Sequence, residues 1–117
     1  MQRIVFTGNI GKDLDLKYTE TRKKLVDFSV AVNEKINKEE TITTWLNCRA
    51  WEGRAEYLSK YVKKGDKVYF EGRIRNDKYK TKDGQEKYYT YVLIDYLEPF
   101  KNEKKEEKND LENLEFY

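Results

Sequence analysis

Between residues 3 and 97 the chain is written mostly in period two. Ile4, Phe6 and Gly8 alternate with Arg3, Val5 and Thr7, and Val26, Phe28, Val30 and Val32 alternate with Leu25, Asp27, Ser29 and Ala31. Successive side chains of a strand point to opposite faces, so each run predicts a strand with one face turned inward. The run from Thr44 to Trp51 divides in the same way: Leu46, Cys48 and Ala50 share one face, and Trp45, Asn47, Arg49 and Trp51 share the other. Val68, Phe70, Gly72 and Ile74 alternate with Lys67, Tyr69, Glu71, Arg73 and Arg75. Residues 88–97 are apolar or aromatic on both faces, as suits a strand covered by the core on one side and by a partner or ligand on the other.

One segment breaks the alternation. Ala55, Leu58, Tyr61 and Val62 recur at helical spacing, and Lys63, Lys64 and Gly65 supply cations and a left-handed stop, which predicts a helix over 54–64. Turn signals fall at Gly8 Asn9, at Gly11, and at Asp83 Gly84, where a hairpin is expected. Strand, strand, strand, helix, strand, strand is the order of an all-β domain with one short helix, the five-stranded OB-fold barrel, whose exposed sheet face binds oligonucleotides or oligosaccharides. The only proline, Pro99, precedes residues 101–109, which contain no apolar side chain. The expected domain therefore spans 1–99, and 100–117 is expected to be a short, charged, disordered tail.

Composition narrows the chemistry. With no histidine and one cysteine, the usual zinc sets and histidine-activated nucleophiles cannot be assembled, and no cofactor is expected. Carboxylates are plentiful but scattered among lysines, with no recognisable spacing for a magnesium nuclease, the rival reading from the enzyme class. No stretch approaches the roughly 20 apolar residues of a membrane span, and Cys48 has no partner for an internal disulfide, so a soluble, cytoplasmic, nucleoid-associated protein is expected. The net charge of +2 hides an asymmetry: residues 101–117 hold four lysines and six acids, leaving 20 basic against 16 acidic side chains in residues 1–100. A basic body with an acidic end suits a polyanionic partner.

The tryptophan face carries the sharpest signal. A pair of core anchors is the plain alternative, but it would bury Asn47 and Arg49 with the rings, costing roughly 1 to 3 kcal/mol or more for each polar group left unpaired. Two large aromatics flanked by a cation suit the bases and phosphates of a single strand. Strand parity adds Arg49 and Arg73 as candidate phosphate contacts, and Asp77 Lys78 Tyr79 Lys80 places a ring between cations.

Taken in one collinear order, several segments resemble the bacterial and phage single-stranded DNA-binding protein family. They are Arg3 Ile4 Val5 Phe6 Thr7 Gly8 Asn9, Phe28 Ser29 Val30 Ala31 Val32 Asn33, Trp45 six residues before Trp51, Ala55 Glu56 Tyr57 Leu58, Tyr61 Val62 Lys63 Lys64 Gly65, and Val68 Tyr69 Phe70 Glu71 Gly72 Arg73. The resemblance implies single-stranded DNA as partner, coated without catalysis during replication, recombination and repair. It implies base stacking on Trp45, Trp51 and Tyr79, phosphate contacts at Arg3, Lys64, Arg75 and Lys78, and a homotetramer. An RNA-binding or primosome-accessory OB domain is the alternative. Three positions depart from the family's pattern: Ile36 stands where an aromatic is common, Tyr79 where tryptophan is common, and the short tail ends in Glu115 Phe116 Tyr117. Asp110, Glu112, Glu115, Phe116 and Tyr117 are the candidate docking residues for replication or repair proteins.

Overall fold

The structure, a computed structural model, describes residues 1–100. The tail candidates Asp110, Glu112, Glu115, Phe116 and Tyr117 lie outside the described residues. In chain order the elements are β1 (Ile4–Ile10), β2 (Lys17–Tyr18), β3 (Lys24–Lys35), β4 (Thr41–Trp51), α1 (Glu52–Tyr61), β5 (Lys67–Lys80) and β6 (Glu86–Pro99). The sheet runs β1-β5-β6-β4-β3-β2, and β1 turns back to meet β3 through Asn9↔Ala31 and Ile10↔Val30. That return closes the five long strands into an OB-fold barrel, with the two-residue β2 as an addition along β3.

The inward positions of the alternation fill the interior. Val26, Phe28 and Val30 of β3 meet Cys48 and Ala50 of β4, Val68 and Phe70 of β5, and Val92 and Ile94 of β6, all buried. Phe70 is the largest fully buried side chain, its ring 5.3 Å from Phe6 and 5.6 Å from Phe28. The helix adds Ala55 and Leu58 to the same core.

Two local expectations are corrected. Gly8 and Asn9 lie inside β1, where a turn was expected. A β-carbon on Gly8 would stand 2.5 Å from Val30 Cγ1 and 2.6 Å from the Ala31 carbonyl oxygen, so glycine marks the close approach where β1 crosses to β3. The helix begins at Glu52 and stops at Tyr61, ahead of the predicted end at 64. Val62 keeps one helical bond, its N–H donating to the Leu58 carbonyl at 3.0 Å, then turns extended so that its side chain enters the core. Asp66 Oδ2 accepts the Lys63 N–H at 2.9 Å, and Gly65, at φ +91°, shapes that turn rather than capping the helix.

Both long hairpins outrun the barrel. β3 and β4 stay paired from Leu25↔Trp51 to Lys35↔Thr41, and β5 and β6 from Val68↔Pro99 to Lys80↔Glu86. The second closes as Asp83 Gly84 predicts, with the Thr81 N–H on the Gln85 carbonyl at 2.8 Å and Gly84 at φ +88°. No helix among the described residues is long and apolar enough to cross a membrane.

Burial of Cys48 has a measurable consequence. Its thiol is fully buried, and removal from water pushes its pKa up to about 12. In the unfolded chain the thiol ionises near 8.5. A group whose folded pKa is raised stabilises the fold fully below the unfolded value and loses that contribution as pH rises. We therefore expect a maleimide or disulfide probe at about pH 8 to label Cys48 only as fast as the barrel opens, and stability to fall between about pH 9 and about pH 12. Rapid labelling of the folded protein would contradict this burial.

Candidate nucleic-acid interface

Strand β4 delivers its polar face to the outside of the barrel. Opposite it on β3, Trp51 faces Leu25, Arg49 faces Asp27, Asn47 faces Ser29 and Trp45 faces Ala31. Trp45 is 61% exposed, a high value for the largest side chain, while Trp51 is half-buried. Room for the Trp45 ring comes from Gly11, whose N–H donates to the Ser29 carbonyl at 2.9 Å. A β-carbon there would lie 2.7 Å from Trp45 Cζ3 and 2.8 Å from Ser29 Oγ. At the other end, β4 passes into α1 without a loop, and Glu52 takes the sharp turn at φ +50° while its Oε1 accepts the Lys24 N–H at 3.2 Å.

The face continues across β6 and β5. Arg49 is level with Leu93 in the parallel β4–β6 pairing, and the antiparallel β5–β6 register sets Leu93 against Arg73, Tyr91 against Arg75, Tyr89 against Asp77 and Lys87 against Tyr79. Trp45, Arg49, Trp51, Arg75 and Tyr79 thus lie on one outer surface. Tyr79 is 49% exposed, on the arm of the hairpin. Between it and the tryptophans stand Tyr89 and Tyr91, stacked at 5.6 Å between centroids and 25° between planes.

The basic residues divide into two groups. Arg49 holds Asp27 in a fork, Nε to Oδ1 at 2.7 Å and Nη2 to Oδ2 at 3.2 Å, with Asp77 Oδ2 at 3.5 Å from Nη1 and the Tyr91 ring centroid 4.8 Å from Cζ. The hydrogen bond with Asp27 raises the arginine's pKa further still. Burial pushes the Tyr91 hydroxyl above its usual range, and Asp77 adds to the effect. Arg73 holds Asp95 at 3.0 and 2.9 Å, because a bulge between Glu71 and Gly72 leaves Asp95 unopposed in the ladder and turned toward it. Arg3 is paired with Glu71 on the β1–β5 side of the barrel, away from the tryptophans, and Tyr69 donates to the same carboxylate.

Arg75, by contrast, is exposed and makes no ion pair among the described residues, and neither does Lys64. The Lys64 N–H donates to Asp13 Oδ1 at 3.3 Å and the next N–H, of Gly65, to the Ile10 carbonyl at 2.9 Å, which sets Lys64 beside the segment that carries Gly11, the residue against the Trp45 ring. Lys78 leaves the face of the hairpin opposite to Tyr79 and reaches Glu86 at 3.5 Å. Ile36, 53% exposed, lies at the tip of the β3–β4 hairpin. The sequence pattern marks Gly11 only as a turn signal and gives Asp27, Asp77, Tyr89 and Tyr91 no part in this face. The two-sided apolar run at residues 88–97 was the available signal for the tyrosines, and the outward parity of Asp27 the signal for its ion pair.

Comparisons with known proteins show the family. A family model described as the single-strand binding protein family matches residues 1–100. Among curated relatives, the single-stranded DNA-binding protein of Bacillus cereus is 34% identical over 104 residues, which cover 85% of this chain and 61% of that protein. Single-stranded DNA-binding protein 3 of Streptococcus agalactiae is 34% identical over 97 residues, covering 81% of this chain and 70% of that protein. Single-stranded DNA-binding protein 2 of Listeria monocytogenes is 32% identical over 107 residues, with 87% and 67% covered. Against the first of these relatives, then, the chain spans about 61% of the relative's length. A closed OB barrel, an outward tryptophan face and a family match that runs from the first residue to the end of the described structure lead to one conclusion: the chain belongs to the single-strand binding protein family.

Proposed function

We propose that this protein binds single-stranded DNA without catalysis, coating and protecting strands exposed in replication, recombination and repair. The observation that carries the reading is the outer face of β4, where two tryptophans stand outward although the same strand buries Cys48 and Ala50 completely. Bases stack on Trp45, Trp51 and Tyr79, each contributing on the order of 1 to 3 kcal/mol. Arg75 and Lys64 carry phosphates most directly, and Arg3 and Lys78, paired with Glu71 and Glu86 away from the tryptophan face, meet phosphates only where the strand wraps beyond it. At Arg49 and Arg73 a phosphate must compete with Asp27 and Asp95 for the guanidinium. Acidic side chains serve here as partners of arginine and lysine, and among the described residues no cluster of three potential ligands gathers to hold a metal. The protein acts in the cytoplasm, at the nucleoid, and its tail, Asp110 to Tyr117, docks replication or repair proteins.

A homotetramer is the proposed assembly. β1 pairs with β3 only at Asn9 and Ile10, so one edge of its first half is left without a strand partner among the described residues, and Val5 there is 51% exposed. An edge of this kind accepts another strand.

The electrostatic part is tested by salt. If Arg3, Lys64, Arg75 and Lys78 each meet a phosphate, log K for oligo-dT should fall with log salt at a slope of about −3, and Arg75→Ala should reduce that magnitude by about 0.7. Binding indifferent to salt would refute the phosphate contacts. Matched RNA oligonucleotides in the same titration separate DNA from RNA preference.

A further inference from the structure

We propose that Tyr89 is a further base-stacking position on this face, and that Arg49 is the positioning residue that holds it, through Tyr91, in place. The inference rests on the single-strand reading above. Tyr89 and Tyr91 are two apart on β6, so both rings lie on the tryptophan side of the sheet. Tyr91 is only 8% exposed, too little to take a base, with the Tyr89 ring 5.6 Å away and the Arg49 guanidinium 4.8 Å from its centroid. Tyr89 is half-buried, which leaves part of its ring open above that support. Its partner across the sheet is Asp77, two residue pairs along from Lys87↔Tyr79, so Tyr89 stands between the hairpin ring and the tryptophan strand.

Arg49 suits the supporting role better than a phosphate contact. Each of its three guanidinium nitrogens already faces a carboxylate oxygen, of Asp27 or Asp77, and these come from β3 and β5. The fork therefore ties three strands together beneath the tyrosine pair, with its charge compensated twice over. A lysine would keep the charge but not the planar fork or the ring contact.

The test is binding of fluorescein-labelled oligo-dT, followed by anisotropy, with circular dichroism as the fold control. Tyr89→Ala should weaken binding about 10-fold, whereas Tyr89→Phe should bind like the unaltered protein. Arg49→Lys should weaken binding without changing the salt slope, and should add nothing when placed in the Tyr89→Ala background. Wild-type affinity in a folded Tyr89→Ala, or a Tyr89→Phe as weak as the alanine variant, would overturn stacking at Tyr89. Should the alanine variant not fold, Tyr89→Trp decides, since it keeps a ring and must bind at least as tightly as wild type. Additive losses from Arg49→Lys and Tyr89→Ala, or a shallower slope for Arg49→Lys, would overturn the positioning role. Failure of the unaltered protein to bind oligo-dT would instead refute the single-strand reading itself.

Discussion

Replacing Trp45 and Trp51 together with alanine should leave the barrel folded and weaken binding of a labelled oligo-dT by roughly 30-fold to about 10⁴-fold. The range follows from about 1 to 3 kcal/mol for each stacked base, taken as additive, with 1.4 kcal/mol for every tenfold in affinity. Neither ring belongs to the buried core, which is built from the opposite face of β4. Thermal unfolding should therefore move far less than for a core truncation: exposed substitutions such as Trp45→Ala usually cost less than about 0.5 kcal/mol, and the half-buried Trp51 adds the loss of its partial packing. Anisotropy of the oligonucleotide is the proper reading, since the double variant has no tryptophan left to report. Affinity unchanged in a folded double variant would remove stacking on β4 from the account.

The largest loss of stability is expected at Phe70. Phe70→Ala empties the centre of the barrel, where the ring touches Phe6 and Phe28 and is 0% exposed. Aromatic truncations of this kind cost about 3 to 5 kcal/mol, against a typical total of about 5 to 15. The midpoint of thermal unfolding should fall by roughly 12 to 40 °C at about 4 to 8 °C for each kcal/mol. A shift of only a few degrees would mean that the site collapses around the missing ring or that the core lies elsewhere. The two experiments form a contrast: truncation on one face of the sheet should weaken binding and spare the fold, and truncation on the other should destabilise the fold.

That contrast was legible in the sequence because side-chain parity is a local property. Leu46, Cys48 and Ala50 could be set inward and Trp45 and Trp51 outward from eight consecutive residues, without knowing what either face would meet. The helix was legible for the same reason, from Ala55 and Leu58. Its end was not, since Val62 leaves the helix to reach a core assembled from distant strands.

The partners of the arginines were out of reach for a different reason. Parity assigned Arg49 and Arg73 to the outer face but could not say that Asp27, 22 residues earlier, would stand opposite Arg49, because register is set by the whole hairpin. The bulge that turns Asp95 to Arg73 is likewise a property of two paired strands. Gly8 looked like a turn because glycine most often marks one. Gly8 makes room for a crossing strand and Gly11 for the Trp45 ring, two tertiary demands with no local signature.

The most direct test of the central claim is a titration of intrinsic tryptophan fluorescence with poly-dT, run beside the same length of duplex DNA. Trp45 and Trp51 are the only tryptophans, so the signal comes from the proposed surface alone. Strong, saturable quenching is expected from the single strand and little from the duplex, whose bases are already stacked and paired. Unquenched fluorescence with saturating poly-dT, or equal quenching by duplex, would contradict it.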